Sequence, residues 1–302
     1  MTDQETFGAK HDLEVFRVTS LPRSFYYIPN FISAEEEASI LQKPTSGSSN
    51  MPNLCKIPAQ RWTHLSHRRL QAIPSTLTKN NTLLASPLPA YLTTPVVDRF
   101  KALGIFEHTP HQQPNHVLVN EYRPGEGIMP HEDGDAYAPV VATVSLGAAL
   151  CLDVVRKPAK ARDEEDGSSN RRRSSSENGP VAAPEDQIHD GEEEKEEASS
   201  SSSSSTNGEF KLPTRIYQER RSLLVTTGAA YCTLMHGISG IAVDEGLNEE
   251  SVANWQLVGD TRTLEAMGGM SARGVRTSLT YRDVLRVSAA ASKVLGGGFP
   301  RK

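Results

Sequence analysis

The chain has 302 residues, 37% hydrophobic and 23% charged, the composition of an ordinary folded protein in water. No apolar run approaches the roughly 18 residues of a membrane span, and the opening M-T-D-Q-E-T-F-G lacks the basic and apolar regions of a secretory signal. A formal charge of −5 gives no bulk attraction to nucleic acid, so any basic binding face must be local.

The three cysteines, Cys55, Cys151 and Cys232, are too few and too far apart for a disulfide framework or a cysteine zinc site. They read as reduced thiols in an intracellular protein, expected in the cytoplasm and nucleus.

Residues 1–20 read as a flexible polar lead-in. Phe25 to Ile28 has the aromatic, β-branched character of a strand, stopped by Pro29-Asn30. Ser33-Ala34-Glu35-Glu36 spells a capping box, which predicts a helix to about Leu41 with Glu35 to Glu37 at its positive end. The stretch to about Asn53 is rich in Ser, Pro and Gly and reads as a loop. Across 94–106, Val96, Val97, Phe100, Leu103 and Ile105 make a helical stripe suited to the outside of a sheet.

Pro114 to Asp133 reads as two extended segments around a turn. In the first, Leu118, Asn120 and Tyr122 alternate with Val117, Val119 and Glu121. Pro124, Gly125 and Gly127 mark the turn. In the second, His131 and Asp133 are two residues apart, so a strand points both side chains the same way. Val140 to Val144 and Ala148 to Val155 read as buried strands.

Residues 157–209 change character, with D-E-E-D, R-R-R-S-S-S, E-E-E-K-E-E and a run of serines. So little apolar surface cannot offset the entropy of ordering, and the segment is expected to be a disordered insert. Arg156 to Lys211 carries 9 basic and 14 acidic residues, which accounts for the net charge and leaves the remainder neutral. Within it, Arg171-Arg172-Arg173-Ser174 has the form of a kinase site or nuclear signal, although plain disorder explains it as well.

Strands resume at Ser222 to Thr226, turn at Gly228 and continue through Tyr231 to Gly237. A long polar loop, Asp244 to Gly274, precedes a last strand, Val275 to Arg282. Residues 291–302 read as a flexible tail. Residues 21–290 then form a single domain around the insert. Many short strands behind one helix-bearing segment predict an α+β, mainly β fold: a double-stranded β-helix (jelly-roll) barrel with N-terminal helices packed on one face.

The chemistry-bearing residues fall on these strands. His131, Asp133 and His236 supply two imidazoles and one carboxylate, the ligand set of a non-haem Fe(II) facial triad. Arg276, Ser278, Thr280 and Arg282 share one strand face, and the two arginines, roughly 20 Å apart along an extended strand, suit a small diacid. Asn120 and Tyr122 are placed to donate hydrogen bonds to it. Each residue has a plainer explanation too: His236 as a core histidine with satisfied partners, the arginines as a solvated face. Their conjunction on inward strand positions favours the metal reading.

The segments N-H-V-L-V-N-E-Y-R-P-G-E-G-I-M-P-H-E-D-G, S-L-L-V-T-T-G-A-A-Y-C-T-L-M-H-G-I and R-T-S-L-T-Y-R resemble the AlkB-like Fe(II)/2-oxoglutarate dioxygenases, most closely the AlkB homologue 6 group. F-Y-Y-I-P-N-F-I-S-A-E-E-E and R-W-T-H-L-S-H-R-R-L-Q extend the resemblance over nearly all of the folded part. It implies that His131, Asp133 and His236 bind Fe(II) and are the catalytic centre, and that Asn120, Tyr122, Arg276 and Arg282 bind 2-oxoglutarate. Where the AlkB pattern often has Asn between the arginines, this chain has Ser278. The implied reaction consumes 2-oxoglutarate and O₂, releases succinate, and hydroxylates a C–H bond, in this family typically an N-methyl group that leaves as formaldehyde.

Arg61-Trp62, with Arg68 and Arg69, is the one stretch that joins an aromatic face to local positive charge, and it is expected to form a substrate-reading lid. A core-packing Trp62 beside a solvated basic strand fits the same residues. Three functions follow: a monomeric demethylase of an N-methylated base in single-stranded RNA or DNA, an oxygenase of a protein side chain, or a catalytically idle nucleic-acid-binding scaffold. The intact ligand set favours an oxygenase.

Overall fold

The computed structural model describes residues 12–41, 62–158 and 210–288. In chain order the first strands are β1 (Phe25–Ile28), β2 (Thr63–Leu65), β3 (Arg68–Ile73), β4 (Thr82–Leu84), β5 (His116–Tyr122), β6 (Ile128–His131), β7 (Tyr137–Leu146) and β8 (Leu150–Arg156). After the gap come β9 (Thr214–Gln218), β10 (Leu223–Thr227), β11 (Leu234–Ile238), β12 (Val243–Asp244), β13 (Ser271–Ala272), β14 (Arg276–Val284) and β15 (Arg286–Ser288). The helices are α1 (Ala34–Leu41), α2 (Ala90–Thr93), α3 (Val96–Ala102), α4 (Gly228–Thr233) and α5 (Thr261–Ala266).

Two antiparallel sheets form the centre. The larger runs β1-β10-β7-β14-β5-β3-β2 and the smaller β6-β11-β8-β9. Among the described residues no strand pairing closes one sheet onto the other. Strand β14 lies between β5 and β7, and each of its nine residues is buried.

The period of two then sorts side chains into layers. On the outer face of the large sheet, Leu279 and Tyr281 join Val117, Val119, Val144 and Val225. That face is covered by α1, α2 and α3 through Ile40, Leu92, Val96, Val97 and Phe100. The Phe100 ring stacks on Phe31 at 5.7 Å and meets Tyr281 edge-on at 5.0 Å. The predicted stripe is therefore this contact, and the expected helices on one face are present. On the inner face, Phe25, Tyr27 and Leu224 pack against Val154 and Ile216 of the small sheet. Tyr122 meets Leu150 and Ile238 there.

The capping box forms as read: Glu36 N–H donates to the Ser33 hydroxyl at 3.1 Å and Ser33 N–H to the Glu36 carboxylate at 2.8 Å. Glu37 does more than face the helix N-terminus. It is buried, pairs with Arg220, and accepts from Gly147 N–H at 2.8 Å, which ties α1 to the turn between β7 and β8.

Several expectations need correction. The lead-in is folded from Asp12: a short 3₁₀ turn spans Leu13–Phe16, and Val18 and Leu21 lie in the core. Its polar composition hid the few apolar residues that dock. Tyr231 to Thr233 belongs to α4, not to a strand, because the left-handed Gly228 starts a helical turn before β11. The polar stretch 244–274 carries α5 and β13 and its own core, in which Leu247, Val252, Trp255 and Leu264 cover Cys151 and Tyr217 on the outer face of the small sheet. Asp133 lies just beyond β6, which ends at His131. The loop to Asn53, Cys55, Arg61, nearly all of the 157–209 insert and the 291–302 tail lie outside the described residues. The chain on both sides of that insert builds one compact unit.

One buried ion pair pins the 244–274 segment. Arg273 grips Asp244 bidentately, Nε to Oδ2 and Nη2 to Oδ1 both at 2.7 Å, and donates through Nη1 to the Ser239 carbonyl at 2.6 Å. Removing one partner of a buried pair leaves an uncompensated charge. Arg273→Ala should lower stability in denaturant unfolding by about 3–5 kcal/mol; a loss near zero would show that the pair does not hold this segment.

Candidate active site

A cavity of about 280 Å³ lies between the sheets. Its large-sheet wall is the inner face of β5, β14, β7 and β10, and its small-sheet wall comes from β6, β11, β8 and β9. Leu118, Val141, Leu152, Val154 and Leu224 give it an apolar body. Two groups of polar side chains project into that body.

The first is His131, Asp133 and His236, whose candidate ligand atoms lie within 4.8 Å of one another. His131 and His236 are register partners across β6 and β11. Two glycines make that pairing possible. A Cβ at Gly127 would sit 2.1 Å from the Ile238 carbonyl oxygen, and one at Gly237 would sit 2.9 Å from the Pro130 nitrogen. The rings approach to 4.5 Å between centroids. His131 Nδ1 is 3.0 Å from the Met129 carbonyl, which can only accept, so this nitrogen donates and Nε2 is the one turned toward a ligand. Burial pulls His236 down to about 4, with His131 and Arg282 adding to it against Asp133, so the imidazole is neutral and able to ligate at neutral pH. Asp133 is held by an ion pair to Arg282.

The second group lies along β14. Arg276, Ser278, Thr280 and Arg282 all face the cavity, opposite Tyr122, Asn120, Leu118 and His116 on β5. Arg282, at the end bearing the histidines, has its guanidinium carbon 4.9 Å from the Tyr137 ring centroid. His116 beside it is pushed down to about 4 by burial and then by Arg282, and so stands neutral. Arg276, at the far end, is 2% exposed. Burial lowers it to about 10, which leaves it charged at neutral pH. The partners found for its side chain are uncharged, Ser145 and Gln218 through Nη2, and its Nε has no partner at all.

The match to a family model spans residues 24–282, described as the 2OG-Fe(II) oxygenase superfamily. The chain belongs to that superfamily. It is 32% identical over 92% of its length to a Danio rerio protein named "Probable RNA/DNA demethylase ALKBH6", covering 93% of that protein. It is 24% identical to the Macaca fascicularis "tRNA (carboxymethyluridine(34)-5-O)-methyltransferase ALKBH8", again over 92% of this chain but only 33% of that one. The solved structure of OsALKBH1 overlays 87% of this chain and 99% of its own with a TM-score of 0.45 and 13% identity, and the assignment rests on the sequence matches.

A 2OG-Fe(II) oxygenase is a dioxygenase and an oxidoreductase, and membership implies Fe(II) and 2-oxoglutarate. Both fit this oxygenase. Two imidazoles and a carboxylate suit a divalent metal. A buried, uncompensated guanidinium with an orphaned Nε suits an anionic group.

Of the described residues expected to form the lid, only Arg68 lines the cavity. Trp62 and Arg69 lie on the opposite face. Arg69 is in register with Glu121, pairs with it at 2.7 Å, and stacks over Trp62 at 4.5 Å, while Trp62 packs against the core cluster of the outer face. Trp62 is placed as its plainer reading has it, and strand alternation in β3 turns Arg69 away from the cavity that Arg68 lines. Arg61 is outside the described residues. Sequence reasoning missed Tyr231 of α4, which lines the cavity and donates to the Gly134 carbonyl at 2.9 Å. It also missed Ser145, Gln218 and Tyr137. Polar residues at alternate positions of an apolar strand, Thr143 and Ser145, were the available signal.

His131→Ala should abolish Mn(II) binding, followed by anaerobic titration, with little change in the unfolding of the metal-free protein. Asp133→Ala should lose the metal and also about 3 kcal/mol of stability, because Arg282 is left unpaired. Metal binding that survives either change would remove that residue from the ligand set.

Proposed function

We propose that this oxygenase removes an N-methyl group from a base in single-stranded RNA or DNA, with His131, Asp133 and His236 holding Fe(II) as the catalytic centre. The observation that carries the substrate class is the identity with the protein named as an RNA/DNA demethylase across 93% of that protein. On this reading the two facing sheets are a jelly roll, with the residues that would hold the metal at one end of the cavity and buried Arg276 toward the other.

Bound iron, with 2-oxoglutarate and O₂, supplies the oxidation that yields succinate, CO₂ and a hydroxylated methyl group, which leaves as formaldehyde. The chain's own residues orient and exclude. Arg276 holds the distal carboxylate of 2-oxoglutarate, with Tyr122 and Asn120 donating beside it. Arg282 takes the other end while it steadies Asp133. Leu118, Val154 and Leu224 keep water from the reacting centre.

Tyr231, which lines the cavity together with the histidines, offers a fixed aromatic face, and Arg68, which lines it from β3, offers a cation. An aromatic side chain stacks on any base, and a cation answers a phosphate. Base stacking is worth about 1–3 kcal/mol by alanine substitution. Tyr231→Ala should therefore raise the KM for a methylated oligonucleotide about ten-fold, and Arg68→Ala should reduce the salt dependence of binding. Trp62→Ala, on the far face, should do neither. The deciding assay admits O₂ to the iron-loaded enzyme with methylated RNA, DNA or peptide and follows formaldehyde and product mass. Turnover of the peptide alone would replace the nucleic-acid reading with a protein side chain as substrate.

A further inference from the structure

At the Arg276 end of the cavity, the last residue of β9 reaches across to the large sheet. The Gln218 side-chain oxygen accepts from Arg276 Nη2 at 2.8 Å and from the Ser145 hydroxyl at 3.1 Å. The same Nη2 donates to the Ser145 oxygen at 2.8 Å, which closes a ring of three hydrogen bonds. Gln218 and Ser145 are 2% and 0% exposed, a depth at which polar side chains are costly unless paired. Fold stability alone does not call for them, since apolar residues of the same size would fill this space.

We infer that Gln218 is a positioning residue that, with Ser145, orients Arg276 to select a co-substrate bearing a second carboxylate; this rests on the reading that the cavity takes 2-oxoglutarate. Both hydrogens of Nη2 are engaged in the ring, which fixes the plane of the guanidinium. Nε and Nη1, on opposite edges of that plane, make no hydrogen bond among the described residues, so an incoming carboxylate has a free edge to meet. Because both holding groups are neutral, the full positive charge stays available to the ligand. A carboxylate at position 218 would pair with Arg276 and cancel that charge.

The test is calorimetric titration of the full chain, loaded with Mn(II) without O₂, using 2-oxoglutarate and 2-oxopentanoate. The second ligand keeps the 2-oxo acid head but ends in a methyl group. Gln218→Leu should weaken 2-oxoglutarate at least about ten-fold, and leave 2-oxopentanoate within about two-fold of its affinity for the unaltered chain. Gln218→Glu, close to the native shape, should show the same selective loss. Ser145→Ala carries the comparison if either fails to fold. Equal losses for both ligands, or none, in variants that unfold at the original temperature would overturn the positioning role alone. If the unaltered chain bound no 2-oxoglutarate, the co-substrate reading would fall, and this inference with it.

Discussion

Strand β14 is buried along its whole length, yet it carries two arginines on one face. Everything else in the site answers that constraint. A central strand hydrogen-bonded on both sides cannot move its side chains to solvent, so Arg276 and Arg282 must find their compensation inside. At one end the answer is Asp133, and at the other it is the neutral pair Ser145 and Gln218. The other face of the same strand is ordinary core, Leu279 and Tyr281 under the helices. One alternation of side chains thus writes both the packing and the chemistry.

The strands were legible because their alternation is strong. The register that sets Asn120 opposite Ser278 and Tyr122 opposite Arg276 is what their shared inward face requires. The histidines were legible as a candidate pair, but nothing in their spacing reveals the two glycines that let β6 and β11 approach. The folded 244–274 segment was missed for a physical reason. Short elements packed on a single sheet face hold few apolar residues, and these are scattered among polar ones. Gln218 was beyond reach, since a lone glutamine in T-R-I-Y-Q acquires its meaning only from an arginine 58 positions later.

Trp62 shows how a correct motif can mislead. The aromatic and the basic residues are adjacent in sequence, and Arg69 does lie over the indole. Their pairing is directed into the protein surface, where Glu121 satisfies Arg69. The period of two separates Arg68, facing the cavity, from its neighbour Arg69, facing away.

The residues of the site are divided between the sheets. His131 and His236 stand on strands of the small sheet, whereas Asn120, Tyr122, Arg276 and Arg282 stand on strands of the large one. No strand pairing among the described residues bridges the two, so their alignment depends on side-chain packing and on the Arg282–Asp133 and Arg276–Gln218 contacts. Slippage of one sheet past the other would leave each half chemically whole and misaim one against the other. Lesions in the apolar layer between them would then turn the histidines away from the arginines while leaving the residues of each sheet in place.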